Sequence, residues 1–201
     1  QVRDTTFAYV PPQLVTANTQ RWPALTDLSG ELIFDRNSMQ VRAAKARVQG
    51  GGQLQVLRAE SRIPDLAHST TVVVSADLRG PLGDALALVK DTALDGLTAQ
   101  ALTQATGKGT LALGLQLKLP LAALDQTQVN GTATLTDSTL RLSTDTPQLS
   151  QARAVVAFNQ SGFAVSNAQA RMLGGEVRFD GGTYKIPATA PGATPETAVR
   201  F

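Results

Sequence analysis

The sequence predicts a mainly β protein: a meandering antiparallel sheet of repeated hairpin units, with a short one- or two-helix insertion. Three observations predict it. Apolar and polar residues alternate with a period of two along most of the chain, as half-buried strands require. Several of these runs are interrupted by the same four-residue spacer. A stretch of 27 residues then recurs 124 positions later.

The chain opens in mid-alternation with "QVRDTTFAYV". In "GELIFDRNSMQVRA" Leu32 and Phe34 share a face, and Met39, Val41 and Ala43 resume it after a polar break. "TVVVSADL" aligns Val72, Val74, Ala76 and Leu78. "TLALGLQLKLPL" places Leu111, Leu113, Leu115, Leu117 and Leu119 at every second position. "ATLTDSTLRL" carries Ala133 and Leu135, then Leu140 and Leu142. "VVAFNQSGFAV" carries Val156, Phe158, Phe163 and Val165, and "EVRFDGGTYKI" carries Val177, Phe179, Tyr184 and Ile186. The spacers DRNS, TDST, NQSG and DGGT are rich in turn formers, so each is expected to close a hairpin.

The repeat aligns residues 25–51 on 149–175 without a gap. Leu25, Phe34, Val41, Ala44, Ala46, Arg47, Gly50 and Gly51 recur as Leu149, Phe158, Val165, Ala168, Ala170, Arg171, Gly174 and Gly175. Such self-similarity marks a duplicated structural unit that buries its face with its neighbours.

Between the strands, "GPLGDALALVKDTALDGLTAQALTQATG" departs from the alternation. Pro81 suits a first helical position, Asp84 a first turn and Lys90 a last turn, with Leu82, Leu86 and Val89 at helical spacing. Asp95 suits the cap of a second short helix carrying Leu97, Ala101 and Ala105 and stopped by Gly107. The insertion is expected over about 81–106. Residues 1–186 are read as a single segment and the Pro/Ala/Thr-rich 187–201 as a connector or cut end.

Composition bounds the function. The 201 residues are 42% hydrophobic but only 4% aromatic, so the buried surface is aliphatic. A formal charge of +2 is dispersed, without the basic stripe that nucleic acid requires. There is no cysteine, hence no disulfide and no thiolate metal site. No run approaches the length of a membrane span, and the mid-pattern start reads as a piece of something longer. His68 is the sole histidine, and nothing like G-x-S-x-G accompanies it. "ATGKGT" (105–110) fails the phosphate-loop pattern, and "GGG" at 50–52 marks a bulge or tight connection. No enzyme, cofactor or metal is expected. What remains is the aliphatic face, with leucines worth roughly 1.5–3 kcal/mol each when buried. It is either an ordinary closed core or a groove for an apolar ligand.

"FAYVPP…RWPALTDLSGELIFDRNSMQVRAAKARVQGG", "IPDL", "LRGPLGDALALV", "GKGTLALGLQLKLPL", "VNGTATLTDSTLRL", "TPQLSQARAVVAFNQSGFAV" and "RMLGGEVRFDGG" follow one another as in the AsmA-like proteins, and the chain resembles the YhdP type. The resemblance spans most of residues 5–182. It implies an internal fragment of a periplasmic, U-shaped, groove-forming sheet, anchored to the inner membrane by a helix not present here. It also implies a role in moving glycerophospholipids between the inner and outer membranes and in outer-membrane integrity. The implied partners are phospholipid acyl chains and neighbouring β-units of the full-length chain, with membrane contact made outside this segment. The facing pattern nominates Leu111, Leu113, Leu115, Leu117, Leu119, Leu135, Leu142, Phe158 and Val165 as lipid contacts. The alternative is an envelope scaffold or assembly module with a closed β core, docking through its sheet edges.

Overall fold

A computed structural model describes residues 2–7, 24–67, 71–91, 102–123, 126–159, 161–184 and 196–200. Within them eleven strands form one sheet whose spatial order is the chain order: β1 (Val2–Phe7), β2 (Leu25–Asp35), β3 (Ser38–Val48), β4 (Gln55–Ile63), β5 (Thr71–Pro81), β6 (Thr106–Pro120), β7 (Gln128–Arg141), β8 (Leu149–Asn159), β9 (Gly162–Met172), β10 (Gly175–Tyr184) and β11 (Glu196–Arg200). Every neighbouring pair is antiparallel. Among the described residues the end strands β1 and β11 pair only inward, and the sheet is open. β11 lies in the tail expected to be a connector and pairs with β10 from Asp180↔Arg200 to Tyr184↔Glu196.

Two of the four spacers close hairpins. Phe34 pairs with Met39 across the Arg36–Asn37 turn, and at the NQSG spacer Phe158 pairs with Phe163 and Asn159 with Gly162. The other two do not. TDST lies inside the continuous strand β7 and DGGT inside β10. There the ladder shifts register, between Leu135 and Ser138 on one and Phe179 and Gly181 on the other. An apolar residue five positions on returns to its face if the chain reverses, or if a bulge inserts one extra residue. Both devices satisfy the same pattern.

The β7 bulge is tightly made. Asp137 adopts φ +49°, Ser138 is fully buried, and its hydroxyl donates to the Thr136 carbonyl at 3.2 Å. Opposite it, Gly109 has φ +111°, and a Cβ there would lie 2.6 Å from the Ser138 Oγ. By contrast β5 and β6 pair in unbroken register from Thr71↔Pro120 to Pro81↔Thr110.

The duplication is a structural one. β2 and β3, displaced by 124 residues, coincide end for end with β8 and β9. The left-handed residues coincide too: Asp27 (φ +53°) with Gln151 (+50°), Ala43 (+50°) with Asn167 (+54°), and Gly50 (+77°) with Gly174 (+87°). Ala44 and Ala168 are both 2% exposed, and Ala46 and Ala170 are both buried. Each unit therefore repeats its bulges as well as its pattern.

Among the described residues one helix, α1 (Leu82–Lys90), lies between β5 and β6 in the chain. Pro81 ends β5 and is the residue before the helix rather than its first member, with φ −63°. Asp84 and Lys90 sit in the first and last turns as expected. The buried face is Leu82, Ala85, Leu86 and Leu88, with Val89 only half-buried. Most of the proposed second helix lies outside the described residues. Leu102–Gln104 form a turn, and Gly107 is a strand residue of β6 rather than a helix stop. Nine residues of helix are marginal alone, so α1 depends on its packing against the sheet. Its three buried leucines contribute about 5–9 kcal/mol before ordering costs.

Candidate functional site

The strand pairing assembles the alternating side chains into rows that cross the sheet. One row runs Ala44–Ala59–Ala76–Leu115–Gly131–Phe158–Phe163, from β3 to β9. A second runs Val56–Leu78–Leu113–Ala133–Val156–Val165, and a third Val41–Ser61–Val74–Leu117–Val129. At about 4.8 Å per strand the first row is about 29 Å long, close to the hydrocarbon thickness of a bilayer. Apart from Ser61, these rows contain only aliphatic, aromatic and glycine residues.

The helix covers part of this face. Leu78, Leu111 and Leu135 are buried in one cluster with Leu54, Leu82, Ala85, Leu86 and Leu88. Leu113, Leu115, Ala76 and Ala133 border that cluster and stay half-buried. Beyond them Leu117, Val74, Val156, Phe158, Phe163 and Val165 are also half-buried. Where the Leu115 row passes β7, Gly131 makes room for an aromatic ring: a Cβ at Gly131 would fall inside Phe158.

Eight of the nine nominated residues therefore share one face, but not one environment. Leu111 and Leu135 are core beneath α1, and Leu119 is also buried. Leu113, Leu115, Leu117, Phe158 and Val165 form the partly open band. Leu142 lies just past the end of β7 and is 46% exposed. The band also includes Val74, Ala76, Val156 and Phe163, whose alternation was visible in sequence. Their adjacency to Leu115 and Leu117 depends on strand register, which alternation leaves undefined.

The opposite face is polar. Rows such as Ser75–Gln116–Asn130–Asn159 and Asp77–Gly114–Thr132–Ala157 floor an open trough of about 810 Å³. Of the nominated residues only Leu115 and Phe158 border it. Its lining mixes amide, hydroxyl and carboxylate groups with Leu115, Gly131, Phe158 and Phe163 of the first row, so it offers hydrogen bonds beside apolar contact. Farther along, Arg58 meets Glu60 at 2.5 Å, and that carboxylate raises the guanidinium pKa further. Arg47 meets Asp27 at 3.5 Å. These pairs are exposed and add little stability.

Among the described residues no group of His, Asp or Glu side chains is placed to hold a metal, and His68 lies outside them. No helix among them is long and apolar enough to cross a membrane. Comparison with curated proteins and with solved structures finds no match. The family model described as YhdP protein matches residues 1–194. This open antiparallel meander carries an apolar row across seven of its eleven strands, β3 to β9, and the chain belongs to the YhdP family.

Proposed function

We propose that this chain is a segment of a periplasmic lipid-conducting groove, one that helps move glycerophospholipids between the inner and outer membranes and so supports the outer membrane. Acyl chains slide across the strands along the apolar rows, and headgroups stay in water at the rim. Neighbouring β-units of a longer, membrane-anchored chain extend the track at both ends. The observation that carries this reading is the band centred on Leu115 and Leu117. It crosses the strands without a charged residue, and it is left half-exposed by a single-layer sheet. An apolar surface of that continuity is a binding surface rather than ordinary solvent-facing β structure. The mechanism is passive, because successive rows offer equivalent dispersion contacts and no single deep minimum.

A Leu115→Arg substitution tests it. The variant is expected to stay folded, with near-native circular dichroism, and to lose phospholipid on native purification and mass spectrometry. Global unfolding of Leu115→Arg, or undiminished lipid recovery, would count against a groove at this position. A second reading, an assembly module, draws on the end strands β1 and β11, each of which pairs on one side only among the described residues and so offers a ladder to another chain. It predicts envelope proteins, and no lipid, in the same purification.

A further inference from the structure

The two copies of the duplicated hairpin differ where each enters its next strand. In the second copy Leu173 and Gly174 alone link β9 to β10. In the first copy the link is longer by three residues, measured from Arg47↔Gln55 against Arg171↔Glu176. The additional residues are Gly52, Gln53 and Leu54, and all three meet α1 or its anchorage. The Gln53 backbone N–H donates to the Asp84 carboxylate at 2.8 Å. Gly52, at φ +55°, leaves the space that carboxylate fills, since a Cβ there would lie 2.6 Å from the Asp84 Oδ2. Leu54 is 1% exposed, lies against the Gly80 backbone and joins the cluster of Leu82, Ala85, Leu86 and Leu88. On the β6 side, Leu82 presses on Gly107.

We infer that Gly52–Leu54 is a dedicated seat and that α1 is a fixed partition within the groove. Phospholipid acyl chains bind on its open side, over Leu115 and Leu117, while Leu111 and Leu135 are withheld from them. The inference rests on the groove reading above. A moving plug would require lipid to favour the undocked state. An acyl chain displacing α1 returns the same kind of apolar contact the helix already makes, and it leaves the Gln53 N–H without its carboxylate. The seat gives α1 an advantage that a lipid chain does not match.

The chain has no cysteine, so a Leu82→Cys/Gly107→Cys pair introduces a single bridge from α1 to β6 within disulfide reach. The full chain, unmodified and bridged, would be equilibrated with vesicles containing phosphatidylglycerol that bears a diazirine in its acyl chain. After irradiation, adducts would be mapped by peptide mass spectrometry. Adducts on the segments carrying Leu115 and Leu117 are expected at yields within about twofold in the two forms, with Leu111 and Leu135 unlabelled in both. A tenfold or greater fall on bridging, or labelling of Leu111 and Leu135, would make α1 a moving plug and overturn the inference while leaving the groove intact. Absence of adducts anywhere in the unmodified chain would remove the groove reading, and the partition with it. The unmodified chain maps the sites without any substitution, so the test stands even where the cysteine pair impairs folding.

Discussion

The contact between Gly131 and Phe158 shows how one missing side chain shapes the candidate track. The ring occupies the place of a Gly131 Cβ, an arrangement in which an aromatic neighbour covers a glycine in a strand. Gly131→Val is expected to drive the ring off the sheet and to cost about 1–3 kcal/mol by overpacking, read as a lower urea midpoint at unchanged m-value. Combining it with Phe158→Ala should recover part of that loss, because the two positions are directly coupled. Additive losses would show that the ring does not lie over Gly131. Ala43 supplies a second residue-level case. It holds φ +50° where the other copy has Asn167 at +54°, and a left-handed alanine costs roughly 1–2 kcal/mol. Ala43→Asn, which imports the residue type that tolerates this conformation, is expected to raise stability by about 0.5–1 kcal/mol, whereas Ala43→Val lowers it.

At the level of elements, the distinction between a turn and a bulge decided how far sequence could be read. DRNS and NQSG join strands, while TDST and DGGT lie within continuous strands where the ladder shifts register, although all four occupy a five-residue step between apolar residues. Facing and spacing were legible; the choice between reversal and insertion was not, because it depends on what lies opposite. For TDST the deciding partner is Gly109, 28 residues before Asp137, whose φ of +111° accommodates Ser138. Gly109→Ala is therefore expected to cost about 1–3 kcal/mol through strain and contact. Gly114→Ala in the same strand is the control: its Cβ would meet only the Asp77 Oδ1, at 3.8 Å, so it is expected to be neutral or to stabilise by up to about 1 kcal/mol. Equal losses from both in chemical denaturation would refute the bulge as the cause. α1 was legible in existence and polarity from Asp84 and Lys90. The sequence spacing points its buried face toward Val89, whereas the structure buries Ala85 and Leu88, because both apolar stripes exist on the helix and only the position of β6 selects one.

Across the whole molecule, duplication accounts for both the regularity and its single departure. Strand lengths, turn positions and left-handed residues coincide between 25–48 and 149–172, so each hairpin presents the same shape to the strands beside it. Sheet-facing identities follow: Phe34, Val41, Ala44 and Ala46 stand where Phe158, Val165, Ala168 and Ala170 stand. In an open sheet with chain-order topology each strand contacts only its neighbours, apart from those touched by α1, and stability is close to a sum of nearest-neighbour terms. It follows that the units are exchangeable. A chimera carrying residues 25–48 in place of 149–172 is expected to unfold in one cooperative transition and to lose no more than about 3 kcal/mol. The loss would arise mainly at Ala133, which would face Leu32 instead of Val156, and at the Gly30 that replaces Ala154. The reverse exchange, 149–172 in place of 25–48, leaves the seat residues Gly52–Leu54 untouched and should retain a docked α1, read by amide exchange protection over Ala85–Lys90. Loss of that protection in the reverse chimera alone would mean that β2 and β3 take part in holding the helix, and that the two units are alike in backbone but not in the work they do within the sheet.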